Sequence, residues 1–212
     1  MTSHEADVDA CEAALLALDR LAVARLLETP GHEPVLVRIE RLMIPALERI
    51  GRGWEEGRVA LSQVYMGGRI CEDLVNRLIR STSSRRMDQP RMAVAVLEDY
   101  HLLGKRMVYA TLRAAGYEVS DYGRTDVAAL VSRTVADRVE LLLISTLMFP
   151  SALRVAQVRE GLEQAGCRAR VIVGGAPFRF DEDLWREVRA DAMCRNASDV
   201  LGVISSLQGG GV

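Results

Sequence analysis

Residues 91–105 read RMAVAVLEDYHLLGK, and this stretch decides the fold. Six of the seven residues 92–98 are apolar with no turn residue among them, as expected of a parallel strand covered on both faces. Leu102, Leu103, Met107, Val108, Ala110 and Leu112 then repeat at amphipathic spacing, so a helix opens near Gly104. Asp99 and His101 therefore fall at the carboxyl end of a first strand, where open α/β sheets bind ligands. A carboxylate two residues from a histidine can hold one ring nitrogen while the other faces outward.

From residue 92 onward strand and helix patterns alternate. Strands are expected over 92–97, 118–121, 139–145, 168–173 and 192–194. Helices are expected over 102–115, 127–137, 151–165, 182–188 and 197–207. Each crossover is long enough for a right-handed parallel connection, which predicts an α/β, flavodoxin- or Rossmann-like, doubly wound five-stranded parallel sheet. Residues 5–80 instead read as amphipathic helices over 10–27, 35–52 and 61–79, an up-and-down bundle. Thr29-Pro30-Gly31 is expected to stop the first of these, and Gly51, Gly53 and Gly57 to place Trp54 in a turn. The polar stretch RSTSSRRMDQP, residues 80–90, separates the two patterns. The expected organisation is a helical domain at 1–80, a linker at 81–90 and an α/β domain at 91–212, with a frayed glycine-rich tail from 208.

Composition narrows the function. The 212 residues are 49% hydrophobic but only 5% aromatic, which predicts an aliphatic core. A formal net charge of −2, with arginines interleaved among acids, carries no signature of nucleic-acid binding. Cys11, Cys71, Cys167 and Cys194 form no CxxC pair, which argues against a zinc site and a disulfide framework. The acidic start MTSHEADVDACEAALL lacks the basic flank of a signal peptide, and the apolar run at 141–153 is too short to span a bilayer. A cytoplasmic protein that does not enter membranes is expected. No GxGxxG follows the first strand, and neither a GxxxxGK[ST] loop nor a GxSxG elbow occurs. A hydrolytic set of Ser151, His101 and Asp99 is disfavoured without that elbow.

Other loops at the same sheet edge carry their own signals. Residues 145–151, STLMFPS, place Ser145, Leu147, Phe149 and Ser151 after the third strand. Gly174-Gly175 follow the fourth, where missing side chains permit close backbone approach. Asn196-Ala197-Ser198 follow the fifth and offer a helix cap. Taken singly, each reads as a turn or a cap; their convergence on one edge favours a binding site.

Together these loops resemble a known family. Asp99-Tyr100-His101-Leu102-Leu103-Gly104 fits the DxHxxG motif of cobalamin-binding domains, Ser145-Thr146-Leu147 fits the SxL motif, and Gly174-Gly175 fits the GG motif. Asn196-Ala197-Ser198 resembles a segment of the cobalamin domain of methionine synthase. Residues 42–51, LMIPALERIG, with Trp54-Glu55-Glu56-Gly57, look like the helical cap of small corrinoid proteins associated with methyltransferases.

The resemblance implies a corrinoid protein carrying a methyl group on cobalt between partner methyltransferases, itself the non-catalytic subunit. Its cofactor would be methylcobalamin or another corrinoid. His101 would replace the displaced base as lower axial ligand of cobalt, with Asp99 on its other nitrogen and Ser151 completing a relay. Ser145, Leu147, Gly174 and Gly175 would line the slot for the tail, and Ala197 would lie near the corrin edge or the tail. Trp54 would cover the upper corrin face. Glu98 stands where the family often has glycine, Leu102-Leu103 where it often has Asp-Ile, and Phe149 where a small polar residue is common. Trp54 is not followed by the Glu-His of related photosensory regulators, since Val64-Tyr65 occupy that place. A cobalamin-dependent sensor signalling to a protein partner is the alternative reading; a free mutase subunit is weaker, and a homodimer is left open.

Overall fold

The computed structural model describes residues 3–28, 33–78 and 89–209. Thr29-Pro30-Gly31, the last residue of the 61–79 helix, most of the 80–90 stretch and residues 210–212 lie outside them. The chain forms two compact units, Met1–Arg80 and Ser81–Val212.

The first unit contains α1 (Ser3–Leu16), α2 (Arg20–Glu28), α3 (Val35–Glu55) and α4 (Leu61–Leu78). Its core is aliphatic, with Leu15, Val23, Leu27, Ile39, Leu42, Ala46, Ile50, Leu74 and Val75 buried. Two expectations need correction. The helix expected over 10–27 is two helices, because Leu18 turns left-handed (φ 57°) and the Asp19 carboxylate accepts from Ala22 N–H at 2.9 Å, starting a new helix. The turn expected around Trp54 falls later. α3 runs on through Gly51 and Gly53 to Glu55, so Trp54 lies in its last turn. Gly57, with φ 74°, makes the reversal instead. Gly53 is needed because a Cβ there would meet Val59 Cγ2 at 2.7 Å.

The second unit is the expected doubly wound sheet. It comprises β1 (Met92–Leu97), α5 (Leu103–Ala114), β2 (Val119–Thr125), α6 (Val127–Ala136) and β3 (Leu141–Ser145). After these come α7 (Phe149–Leu153), α8 (Val155–Gln164), β4 (Arg170–Gly174), α9 (Ala176–Phe180), α10 (Leu184–Glu187) and β5 (Ala192–Cys194). A 3-10 turn (Ala197–Asp199) leads into α11 (Val200–Gly209). The strand order is β2-β1-β3-β4-β5, and every pairing is parallel.

Alternation along the strands feeds two cores. Ala93, Ala95, Leu97, Leu142, Ile144, Val171 and Val173 pack with Leu130 of α6 and Val155, Val158 and Leu162 of α8. Met92, Val94, Leu141, Leu143 and Ile172 face the other way, onto Leu112 of α5 and Val200 and Ile204 of α11.

The differences from expectation are local. β2 continues as an edge strand through the polar residues Asp121, Gly123 and Arg124, and carries a register shift opposite Val94/Ala95. Buried Lys105 donates to Asp121 Oδ1 at 2.6 Å, and that carboxylate oxygen also accepts from Gly123 N–H at 2.8 Å. One helix expected over 151–165 is split at Arg154 into α7 and α8, and α9 occupies a stretch read as loop. Among the described residues no helix is long and apolar enough to cross a membrane.

Leu142, fully buried in the central strand β3, tests this packing. Leu142→Ala should destabilise the protein by about 2–5 kcal/mol, read as a lowered midpoint in urea with a slope close to that of wild type.

Candidate functional site

The site is assembled where β1, β3 and β4 end. β1 stops at Leu97, and the chain turns sharply because Glu98 takes a left-handed conformation (φ 44°). The turn drives Asp99 beneath the next loops, where it is 1% exposed.

Five N–H groups converge on that one carboxylate. Oδ1 accepts from Tyr100 N at 2.6 Å, His101 N at 3.1 Å and His101 Nδ1 at 2.9 Å. Oδ2 accepts from Leu147 N at 2.7 Å and Met148 N at 2.8 Å, so it ties the β3 loop to the β1 loop. Burial alone would raise the Asp99 pKa. The His101 ring N–H and the Met148, Leu147 and His101 amides outweigh it, and hold the carboxyl well below the usual carboxylate range.

An ionised carboxylate only accepts, so His101 Nδ1 carries a proton, and in the neutral ring the lone pair falls on Nε2. Nε2 has no hydrogen-bond partner among the described residues, and the side chain is 49% exposed. The arrangement is an imidazole with its tautomer fixed and one basic nitrogen presented outward.

Ser151 does not make the bond expected of it. It is buried in α7, but its Oγ donates to the Glu98 carbonyl at 2.9 Å. The expected relay onto Asp99 is replaced by a clamp on the neighbouring peptide, because both Asp99 oxygens are already filled by N–H groups.

The glycines and the 145–147 loop form the adjoining wall. Gly175 has φ 121°, and a Cβ there would stand 1.7 Å from the Thr146 carbonyl oxygen. Only glycine lets the two backbones approach so closely. A Cβ at Gly104 would lie 3.0 Å from Ser145 Oγ, and one at Gly174 3.3 Å from the Cys194 carbonyl oxygen. Beside them Thr146 is buried, and its Oγ1 finds no partner among the described residues. Burial first, then the Asp199 carboxylate, pushes the Cys194 thiol up to about 12. That sulfur stays protonated at neutral pH and is a poor ligand.

Tyr100 is exposed, with the Arg124 guanidinium 3.5 Å from its ring centroid. Leu147 and Phe149 are exposed at the same edge, and Leu102 and Leu103 are half-buried at the start of α5. Ala197 is buried in the 3-10 turn that packs on α5. Trp54 belongs to the helical unit and stands exposed there. Thr146, the Met148 amide and the Glu98 backbone are additions that the motifs do not mark. Glu98 alone carried a signal, as a departure from glycine.

Among the described residues no group of three or more His, Cys, Asp or Glu could cage a bare metal ion. A lone imidazole nitrogen suits a metal that brings its own equatorial ring.

Two outcomes follow from this geometry. Gly175→Ala should destabilise by more than about 2 kcal/mol in a chemical denaturation curve, since φ 121° and the Thr146 oxygen both oppose a Cβ. A carboxyl with a lowered folded-state pKa contributes stability above its unfolded pKa and loses it on acidification. The stability gap between wild type and Asp99→Asn should therefore be fully open at neutral pH and shrink as pH falls below about 4. Denaturant midpoints measured across that range check it.

Comparison with known proteins places this geometry. A B12 binding domain matches residues 91–204, and a second B12 binding domain matches residues 8–79. Trimethylamine corrinoid protein 1 of Methanosarcina acetivorans is 25% identical, covering 98% of this chain and 99% of that protein. The structure of the Methanosarcina barkeri monomethylamine corrinoid protein superposes with a TM-score of 0.80 at 22% identity, covering 97% of this chain and all of that one. The methanol:cobalamin methyltransferase complex MtaBC of Methanosarcina barkeri shares the fold more distantly, with a TM-score of 0.51 at 19% identity over 97% of this chain and 81% of that one. With the domain matched over more than half of its length, this chain belongs to the B12-binding-domain family.

Proposed function

We propose that this chain is a corrinoid methyl carrier, holding cobalamin with His101 as the lower axial ligand and passing a methyl group between partner methyltransferases. The cofactor is cobalamin or a related corrinoid. The residues present fit it: among the described residues His101 Nε2 has no hydrogen-bond partner on a half-exposed ring, and beside it the buried Thr146 hydroxyl has none either. The carrier role is supported by relatives that are named trimethylamine and dimethylamine corrinoid proteins.

The corrin, when bound, supplies a cobalt centre able to accept and release a methyl group, and that chemistry is the cofactor's own. The chain's residues bind and orient. Asp99 fixes the His101 tautomer, so that Nε2 is the ring nitrogen that would meet cobalt. The Leu147 and Met148 amides hold the carboxylate still, so the imidazole cannot swing away with it. Ser145, Leu147, Gly174 and Gly175 would line the slot for the cofactor's tail, and exposed Phe149 would offer apolar surface at its rim. No side chain of the site is asked to act as nucleophile or general acid.

The observation that carries this reading is the pairing of His101 Nδ1 with a buried carboxylate while no described residue bonds Nε2. The test is the absorption spectrum of protein reconstituted with methylcobalamin, wild type beside His101→Ala. Wild type should keep the corrinoid through desalting with a histidine-ligated spectrum, and the variant should show the base-off form. Loss of all corrinoid from wild type on desalting would overturn the reading.

A further inference from the structure

Glu98 links the end of β1 to Asp99, and its φ of 44° is a conformation that strains any residue with a Cβ. Three tethers hold it there. Its N–H donates to the Thr125 carbonyl at 2.9 Å, fastening it to the end of β2. Its carbonyl accepts from Ser151 Oγ at 2.9 Å. Its carboxylate meets Arg154, whose Nη2 donates to Oε1 at 3.2 Å while Nε lies 3.2 Å from Oε2.

Glycine could keep the first two tethers and would carry no strain. Only a side chain can make the third. Arg154 sits at the junction of α7 and α8, so the pair ties the β1 loop to the same segment that Ser151 belongs to. Both partners remain partly exposed, at 43% for Arg154 and 32% for Glu98. Such a pair adds little to global stability. Its effect falls on the direction the chain takes into the next residue, and that residue is Asp99.

We propose that Glu98 and Arg154 are positioning residues for the axial-ligand loop. Their ion pair fixes the left-handed turn, the turn aims Asp99, and Asp99 sets how far His101 Nε2 reaches toward cobalt. The proposal rests on His101 being that ligand.

The test uses the full chain loaded with methylcobalamin. The wild type is compared with Glu98→Gln and with the reversed pair Glu98→Arg/Arg154→Glu. Every version keeps a non-glycine residue at 98, so backbone strain is common to all, and differences report the pair. Two readouts are taken: the ratio of histidine-ligated to base-off absorbance, at the temperature where wild type is half converted, and the denaturation midpoint.

Glu98→Gln should lower the ratio roughly threefold with little change in midpoint, and the reversed pair should bring the ratio back toward wild type. An unchanged ratio in Glu98→Gln overturns the proposal. So does a fall in ratio that the reversed pair leaves uncorrected, or one matched by a large drop in midpoint, since the pair would then be a general stabiliser. A wild-type spectrum that is base-off throughout while corrinoid is retained fails histidine ligation itself, and the proposal falls with it.

Discussion

Everything at the carboxyl edge of the sheet depends on one buried anion. Asp99 is removed from water yet kept charged, which is tolerable only because five N–H groups point at it. Three come from its own loop and two from the loop after β3. The carboxylate thus does with hydrogen bonds what a small core does with apolar area: it makes two separate segments into one object. The His101 ring is the part of that object that reaches out. Its orientation is inherited from the β1–β3 pairing, and so from the alternating aliphatic residues that hold those strands together.

Close packing of backbone on backbone is the second requirement. Gly175 lies against the Thr146 carbonyl more tightly than any side chain would permit, and this brings the β4 loop up to the loop that Asp99 already holds. Three chain segments are therefore locked in sequence: β1 to β3 by charge and hydrogen bonds, β3 to β4 by the absence of a side chain. The cost appears as unusual backbone at Glu98 and Gly175 and a Thr146 hydroxyl with no partner among the described residues, as expected where a fold serves a ligand rather than its own stability.

Much of this is legible in the sequence. Continuous apolar runs mark β1 and β3, the crossovers dictate parallel order, and the Asp-x-His spacing anticipates the bond between Asp99 and His101. Other features are hidden because they depend on partners distant in the chain. β2 is longer than its polar residues suggest, since an edge strand needs only one apolar face. The break at Leu18 is decided by capping at Asp19, within a run that apolar periodicity alone reads as one helix. The hydroxyl of Ser151 is read toward Asp99, but it goes to the Glu98 carbonyl because other donors reach the carboxylate first. No motif reports which of two neighbouring acceptors is still vacant.

The margins of the sheet carry a different consequence. A parallel sheet ends in rows of unpaired N–H and C=O groups, which invite a strand from another molecule and so lead toward fibrils. At one margin β2 answers with its register shift and with Asp121 and Arg124 along an otherwise open rim. At the other, β5 offers only three residues, too few to template an added strand. Neither margin therefore offers a long, regular template for an added strand.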